Sequence, residues 1–332
     1  MDEREMTMRE ALNFALDAAL AADDRVFLLG EDIADPGASG PTAGLSTKYG
    51  ADRVLDTPIS EAAIVGAAIG AAIDGLLPVA EIMIMDFIGI AADQIINNAA
   101  KLRFMTAGRT TAPITVRTQV YGGLATGATH SQTLEAWFMH IPGMKVVVPS
   151  TPRDGKGLLT SAIFDEDPCL FVETIRLQGQ KGLVPTDPGF SIPLGQADVK
   201  RAGTDVTLVG YGRSVHDALA AAATLAEQGV SAEVVDLRTL VPLDVDTLVE
   251  SVGRTRRAVV VHDAVEFAGP GAEVAAILQS ELFGELAAPV ERVGARFVPA
   301  PAAPLLEAQI YPSATRIIEA VQRTLDRTGS RG

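Results

Sequence analysis

Cys169 is the only cysteine in the 332-residue chain, so no internal disulfide can form and no cysteine-based zinc site can be built. It lies in the apolar stretch Pro168-Cys-Leu-Phe-Val172 and points to a reducing compartment. Cationic side chains are scarce as well. The 27 Lys and Arg against 42 Asp and Glu leave a net charge of −15. That excludes the basic surface of a non-specific nucleic-acid binder or a membrane-surface helix, and it suits a basic protein partner. Long apolar runs are missing. The most tempting one, Ala62–Ile73, is ended by Asp74 after 12 residues, too short to span a bilayer. Met1-Asp-Glu-Arg-Glu5 lacks the basic-then-apolar order of a secretory signal, and a cytoplasmic location is expected.

What is present is an ordinary globular composition, 48% apolar and 21% charged, in a chain long enough for two cores. Short apolar strands alternate with helical segments. Thr7–Ala22 reads as a helix, Val26–Leu29 as a strand before a Gly-, Pro- and Asp-rich loop, Leu77–Met85 as a buried strand and Phe87–Met105 as a long helix. Strands follow at Ile114–Arg117, Lys145–Val148 and Cys169–Glu173, with a helix opened by Ser150-Thr-Pro-Arg-Asp154. Residues 174–195 break the rhythm and read as a connection, after which a second alternating series runs from Val206 to a closing helix at 313–326. The pattern predicts an α/β protein of two domains, 1–180 and 196–332, joined by a linker at 181–195. Each domain is expected to be a mostly parallel sheet flanked by helices.

Two glycine-rich turns fall short of nucleotide fingerprints. Val206-Thr-Leu-Val-Gly-Tyr-Gly-Arg-Ser214 has Val215 where a third glycine belongs, and Tyr121-Gly-Gly-Leu-Ala-Thr-Gly-Ala-Thr-His130 lacks the Gly-Lys-Ser/Thr ending of a phosphate loop. The second is better read as a loop delivering His130, followed by Ser131 and Gln132, to a cleft. The four histidines show no metal-ligand spacing. Asp165-Glu-Asp-Pro168 is most simply a solvated turn, although carboxylates beside the carbonyls of a helix end also suit a cation.

Leu55–Gly70 carries the strongest signal. Pro58 stops the preceding segment, Ser60 can cap a helix through its hydroxyl, and Glu61 opens a stretch that is otherwise apolar. A helix this apolar is expected to be buried all round, with Gly66 and Gly70 admitting a neighbouring backbone. Glu61 is then a carboxylate at the edge of a core, where lack of a partner is costly.

Taken in order, the motifs resemble one family. They are Asp56-Thr-Pro-Ile-Ser-Glu61, Glu81-Ile-Met-Ile-Met-Asp-Phe87, Asp93-Gln-Ile-Ile-Asn97, His130-Ser-Gln132, His140-Ile-Pro-Gly143 and Val148-Pro-Ser-Thr-Pro152, followed by Leu194-Gly-Gln-Ala197 and Asp236-Leu-Arg-Thr-Leu-Val-Pro-Leu243. The chain resembles the β subunit of the thiamine-diphosphate-dependent first component of 2-oxo acid dehydrogenase complexes, the pyruvate, branched-chain and acetoin group of the transketolase superfamily. The resemblance implies a pyrimidine-binding domain and a transketolase C-terminal domain. It implies that Glu61 hydrogen-bonds the coenzyme's aminopyrimidine while Ile59, Met83 and Phe87 pack around that ring. It implies that His130 orients the substrate and assists acyl transfer to lipoamide. It also implies that Ile114, Ala162, Ile163, Asp165 and Asp167 hold a structural potassium ion, largely through carbonyl oxygens.

The family's Gly-Asp-Gly…Asn motif, which grips the diphosphate and its magnesium, is absent from the sequence. The resemblance implies an α subunit supplying it, in a heterotetramer of two α and two β chains. Thr129 before His130, and Gln119-Val-Tyr121, depart from the usual family pattern and leave substrate and acceptor open. Pyruvate-type decarboxylation or acetoin cleavage with a lipoyl acyltransferase partner is the main reading. A transferase delivering its fragment to a carrier-protein thiol or another carbonyl is the alternative, and an acidic second domain docking a basic acyltransferase domain is compatible with both.

Overall fold

Thr7 begins the first helix with a reciprocal cap: its hydroxyl accepts from the Glu10 N–H, and the Glu10 carboxylate accepts from the Thr7 N–H. The computed structural model that shows this describes residues 2–34 and 40–326. Part of the Gly-, Pro- and Asp-rich loop, and residues 1 and 327–332 of the expected domains, lie outside the described residues. The described residues up to Tyr121, with Trp137–Leu194, form one compact unit. Gly122–Ala136 and the described residues from Gly195 onward form the other.

The first unit contains β1 (Glu3–Thr7), α1 (Met8–Ala22), β2 (Val26–Gly30), α2 (Leu45–Tyr49), β3 (Val54–Asp56), α3 (Glu61–Ile73), β4 (Leu77–Ile84), α4 (Ala100–Met105) and β5 (Thr115–Val120). After α5 (Glu135–Met139), within which the division falls, come β6 (Lys145–Val147), α6 (Pro152–Ile163), β7 (Cys169–Thr174) and β8 (Lys181–Pro185). Parallel pairing runs β3-β2-β4-β5-β7-β6. β4, β5 and β7 are buried along most of their length because helices cover the sheet. Leu12 and Leu16 of α1 and Leu158 and Leu159 of α6 share one core with Leu28, Val147 and Phe171. The chain passes from β2 to β3 on one side and places β4 on the other, so a switch point opens between the carboxyl ends of β2 and β4.

The second unit contains β9 (Asp198–Arg201), β10 (Val206–Gly210), α7 (Ser214–Glu227), β11 (Ala232–Asp236), β12 (Thr239–Val241), α8 (Val245–Thr255) and β13 (Ala258–Val265). It closes with α9 (Pro270–Glu281), β14 (Glu291–Ala295), α10 (Pro304–Glu307) and α11 (Ala314–Asp326). Its sheet runs β14-β13-β10-β11-β9, parallel except for β9 on β11. Leu208, Val234 and Val259 pack with Ala222 of α7 and Ile317 of α11. Among the described residues no helix is long and apolar enough to cross a membrane.

Five expectations change. The segment at 181–195 is built in: β8 pairs antiparallel with β1, Val184 is buried with Met6, and Phe190 and Ile192 join the first core. Its apolar residues are too irregularly spaced to show as a pattern. Gly122–Ala136 groups with the second unit, not with residues 1–180. The helix expected at Phe87–Met105 is broken into a 3-10 turn (Met85–Gly89), a π-helical turn (Gln94–Ala99) and α4. Polar side chains hold the π turn, with Asn97 Nδ2 donating to Asp93 Oδ1 at 2.7 Å. Ser60 precedes α3 without a side-chain capping bond, because its backbone (φ −164°, ψ 80°) leaves the extended region from which such hydroxyls reach the helix. Finally, α3 buries only one face. Ala63, Ala67, Gly70 and Ile73 are exposed, and no other part of the described chain comes within 4 Å of a Cβ built on Gly70.

Candidate functional site

Glu61 is only 4% exposed, at the first position of α3, just beyond the carboxyl end of β3. Among the described residues its carboxylate has no hydrogen-bond or ion-pair partner. The helix N-terminus supports its negative charge. Register then collects the other candidates at the same sheet edge. Gly30 of β2 stands opposite Asp56 of β3 and Glu81 of β4, so the loops after these strands leave side by side. Half-buried Met83 lies near the end of β4, half-buried Phe87 in the turn that follows, and Ile59, 81% exposed, in the loop before α3.

Glu31, directly after β2, was missed by sequence reasoning. It is half-buried, and its carboxyl is held above the usual carboxylate range by its own burial and then by the charges of Glu61 and Asp32. Its position next to Gly30, at the carboxyl end of a buried strand, was the available signal.

His130 belongs to the second unit, so the two residues expected to be catalytic lie in different units. It is half-buried at the end of its loop. Thr126 Oγ1 donates to the His130 carbonyl at 2.9 Å, and Thr129 Oγ1 lies 3.1 Å from His130 Nδ1.

The residues expected to hold potassium meet at the opposite edge of the first unit's sheet. Ile114 precedes β5, and Asp165 and Asp167 follow α6 and precede β7. The side chains are already paired: Lys145 Nζ lies 2.6 Å from both Asp165 oxygens, and Arg103 Nε donates to Asp167 Oδ1 at 2.6 Å. Only carbonyls remain for an ion. Those of Ile114 and Ala162 already accept from the N–H groups of Cys169 and Asp165. Among the described residues no three His, Cys, Asp or Glu side chains form a metal cluster.

Gly143 explains the His140-Ile-Pro-Gly143 motif structurally. At φ +99°, a Cβ there would lie 2.0 Å from the Ala100 carbonyl oxygen, so only glycine allows α4 this close.

Residues 4–179, which carry Glu61 and the parallel-sheet switch point, match the family described as transketolase, pyrimidine binding domain. Residues 195–317 match transketolase, C-terminal domain. The chain is 46% identical to the acetoin:2,6-dichlorophenolindophenol oxidoreductase subunit beta of Cupriavidus necator, over 97% of this chain and 98% of that one. It is 44% identical to the mitochondrial pyruvate dehydrogenase E1 component subunit beta-2 of Oryza sativa subsp. japonica, over 98% and 87%. A solved structure described as a split gene transketolase, inactive beta4 tetramer, is 26% identical with a TM-score of 0.79, over 97% of this chain and 99% of that one. The chain belongs to the family of β subunits of the pyruvate and acetoin dehydrogenase group, thiamine-diphosphate enzymes of transketolase type.

Proposed function

We propose that this chain forms the pyrimidine-binding half of an α/β active site acting on a 2-oxo acid such as pyruvate, or on acetoin. The observation that carries the reading is Glu61, buried and without a partner among the described residues. Glu61 would accept a hydrogen bond from the coenzyme's pyrimidine ring, and Ile59, Met83 and Phe87 would form an apolar seat for it. When bound, thiamine diphosphate supplies the carbon nucleophile and the electron sink for cleaving the bond beside the carbonyl. The chain's own part is to present the Glu61 carboxylate to the ring, to shape the seat, and to present His130 as the group that orients substrate or acceptor.

No Gly-Asp-Gly occurs in the sequence, so diphosphate and magnesium fall to an α subunit carrying Gly-Asp-Gly…Asn. The relatives described as β subunits, and the structural neighbour described as an inactive β4 tetramer, fit a half-site that is silent without its partner. A heterotetramer of two α and two β chains would cover the exposed apolar face of α3. Transfer of the fragment to a lipoyl acyltransferase in the cytoplasm, and a potassium ion on the carbonyls of Ile114, Ala162, Ile163, Asp165 and Asp167, complete the proposal. The potassium residues sit at the amino ends of β5 and β7, away from Glu61, so the ion's role would be structural.

Titration calorimetry with thiamine diphosphate and magnesium tests the half-site. The chain alone should give little heat, and addition of the α chain should restore tight binding. Tight binding by the chain alone would overturn the reading.

A further inference from the structure

The segment that carries His130 is tied down on both sides by groups from the carboxyl-terminal part of the same unit. Glu307, at the end of α10, is 2% exposed and uses both carboxylate oxygens on backbone donors. Gly123 N–H donates to Oε1 at 2.9 Å and Ala125 N–H donates to Oε2 at 2.6 Å. Those two residues have φ of +88° and +57°, so the loop turns its N–H groups toward one anion as a backbone nest does. For Ala125, which carries a Cβ, this left-handed conformation is unfavourable and must be imposed from outside.

Tyr311 makes the second tie. Its hydroxyl donates to the Ser131 carbonyl at 3.1 Å, and it lies so close to Gly122 that a Cβ there would be 2.6 Å from its Oη. The tract between these ties is closed internally: Thr126 and Ser131 hydroxyls are 2.8 Å apart, and the His130 N–H donates to the Gly127 carbonyl at 3.2 Å. A third tie lies beyond His130, where buried Tyr211 donates its hydroxyl to Oε1 of buried Glu135 at 2.6 Å.

We infer that Glu307 and Tyr311 are positioning residues for His130: they fix the conformation of residues 122–131 and through it the place of the imidazole. The inference rests on the reading of His130 given above. Glu307 is chemically suited to this. Each of its oxygens accepts one backbone N–H while the side chain is buried, and its charge strengthens both bonds. A glutamine would keep the volume but offer one acceptor oxygen and an NH₂ group that cannot accept. Misplacing a reacting group by about 1 Å can cost about 10²-fold in rate.

The test combines amide hydrogen exchange with a double-mutant cycle in the assembled α–β enzyme. Glu307→Gln should speed exchange of Gly123–Ser131 by at least about tenfold while the core of the second sheet keeps its protection. Turnover should fall by about tenfold or more. Tyr311→Phe, which removes only the hydroxyl, should give the same pattern more weakly and serves where Glu307→Gln folds poorly. In a His130→Ala background, Glu307→Gln should cause no further loss, because its effect passes through the imidazole. Unchanged exchange at 123–131 in both variants, or losses that simply add, would overturn the inference. Wild-type turnover in His130→Ala would instead refute the assignment of His130, and the exchange data alone would then decide whether Glu307 holds the loop.

Discussion

Glu31 and Glu61 follow neighbouring parallel strands at the same sheet edge, and the charge of Glu61 bears on the Glu31 carboxyl. Burial, then the charge of Glu61 and that of Asp32, push the Glu31 carboxyl upward. Glu61→Gln should therefore lower the Glu31 pKa. Carboxyl carbon chemical shifts followed through a pH titration would report it, and an unmoved Glu31 would show that the two groups are not coupled.

A second expectation concerns the first unit's interior. Arg117, 1% exposed, donates from Nη1 to Glu81 at 2.7 Å and from Nε to Glu173 at 2.8 Å, and Gln178 Nε2 donates to the other Glu173 oxygen at 2.9 Å. These groups bridge β4, β5 and β7. Arg117→Met would strand two buried carboxylates, at a cost of about 3–5 kcal/mol. At about 2–4 °C per kcal/mol for a domain of this size, the first unit should melt roughly 10 °C lower. A fall of under about 2 °C in thermal unfolding would contradict this.

His262 gives the second unit a pH dependence. It is fully buried on β13, and its Nδ1 lies 2.9 Å from the Ala264 carbonyl, which can only accept, so Nδ1 carries the proton. Burial, with a smaller contribution from the charge of Arg292, lowers its pKa from 6.5 to about 4. The folded value lies below the unfolded one, so the unfolded chain binds the extra proton between those two values. Stability from this group is present above pH 6.5 and is lost as pH falls toward 4, at about 1.4 kcal/mol per pH unit. His262→Asn cannot ionise and should show a flatter stability profile over that window in urea unfolding. Parallel profiles for variant and wild type would contradict the assignment.

Much of this was legible in the residues. The alternation of short apolar runs such as Val206–Val209 with helical segments identified parallel sheets, because strands covered on both faces need no polar side. Glu61 stood out as the one charge opening an apolar helix. The exposed face of α3 was not legible, since an apolar helix reads the same whether a partner chain or its own fold covers it. The break in Phe87–Met105 was hidden because Asn97 and Asn98 satisfy helical spacing while bonding back to the turn before them. The grip of Glu307 on Gly123 and Ala125 joins positions more than 180 residues apart, and no local pattern in one sequence encodes such a pairing.

The central claim is that Glu61 is the coenzyme's acid–base partner. It is tested most directly in an assembled α–β complex loaded with thiamine diphosphate and magnesium, by measuring hydrogen–deuterium exchange at the coenzyme's thiazolium carbon in wild type and Glu61→Gln. Gln keeps the size and can still hydrogen-bond, but it cannot carry the charge, and positioned acid–base assistance is worth about 10²–10⁴-fold. Exchange and turnover should each fall by at least about 10²-fold, with coenzyme affinity changed far less. Exchange at the wild-type rate in Glu61→Gln would contradict the account and leave only the fold in common with the family.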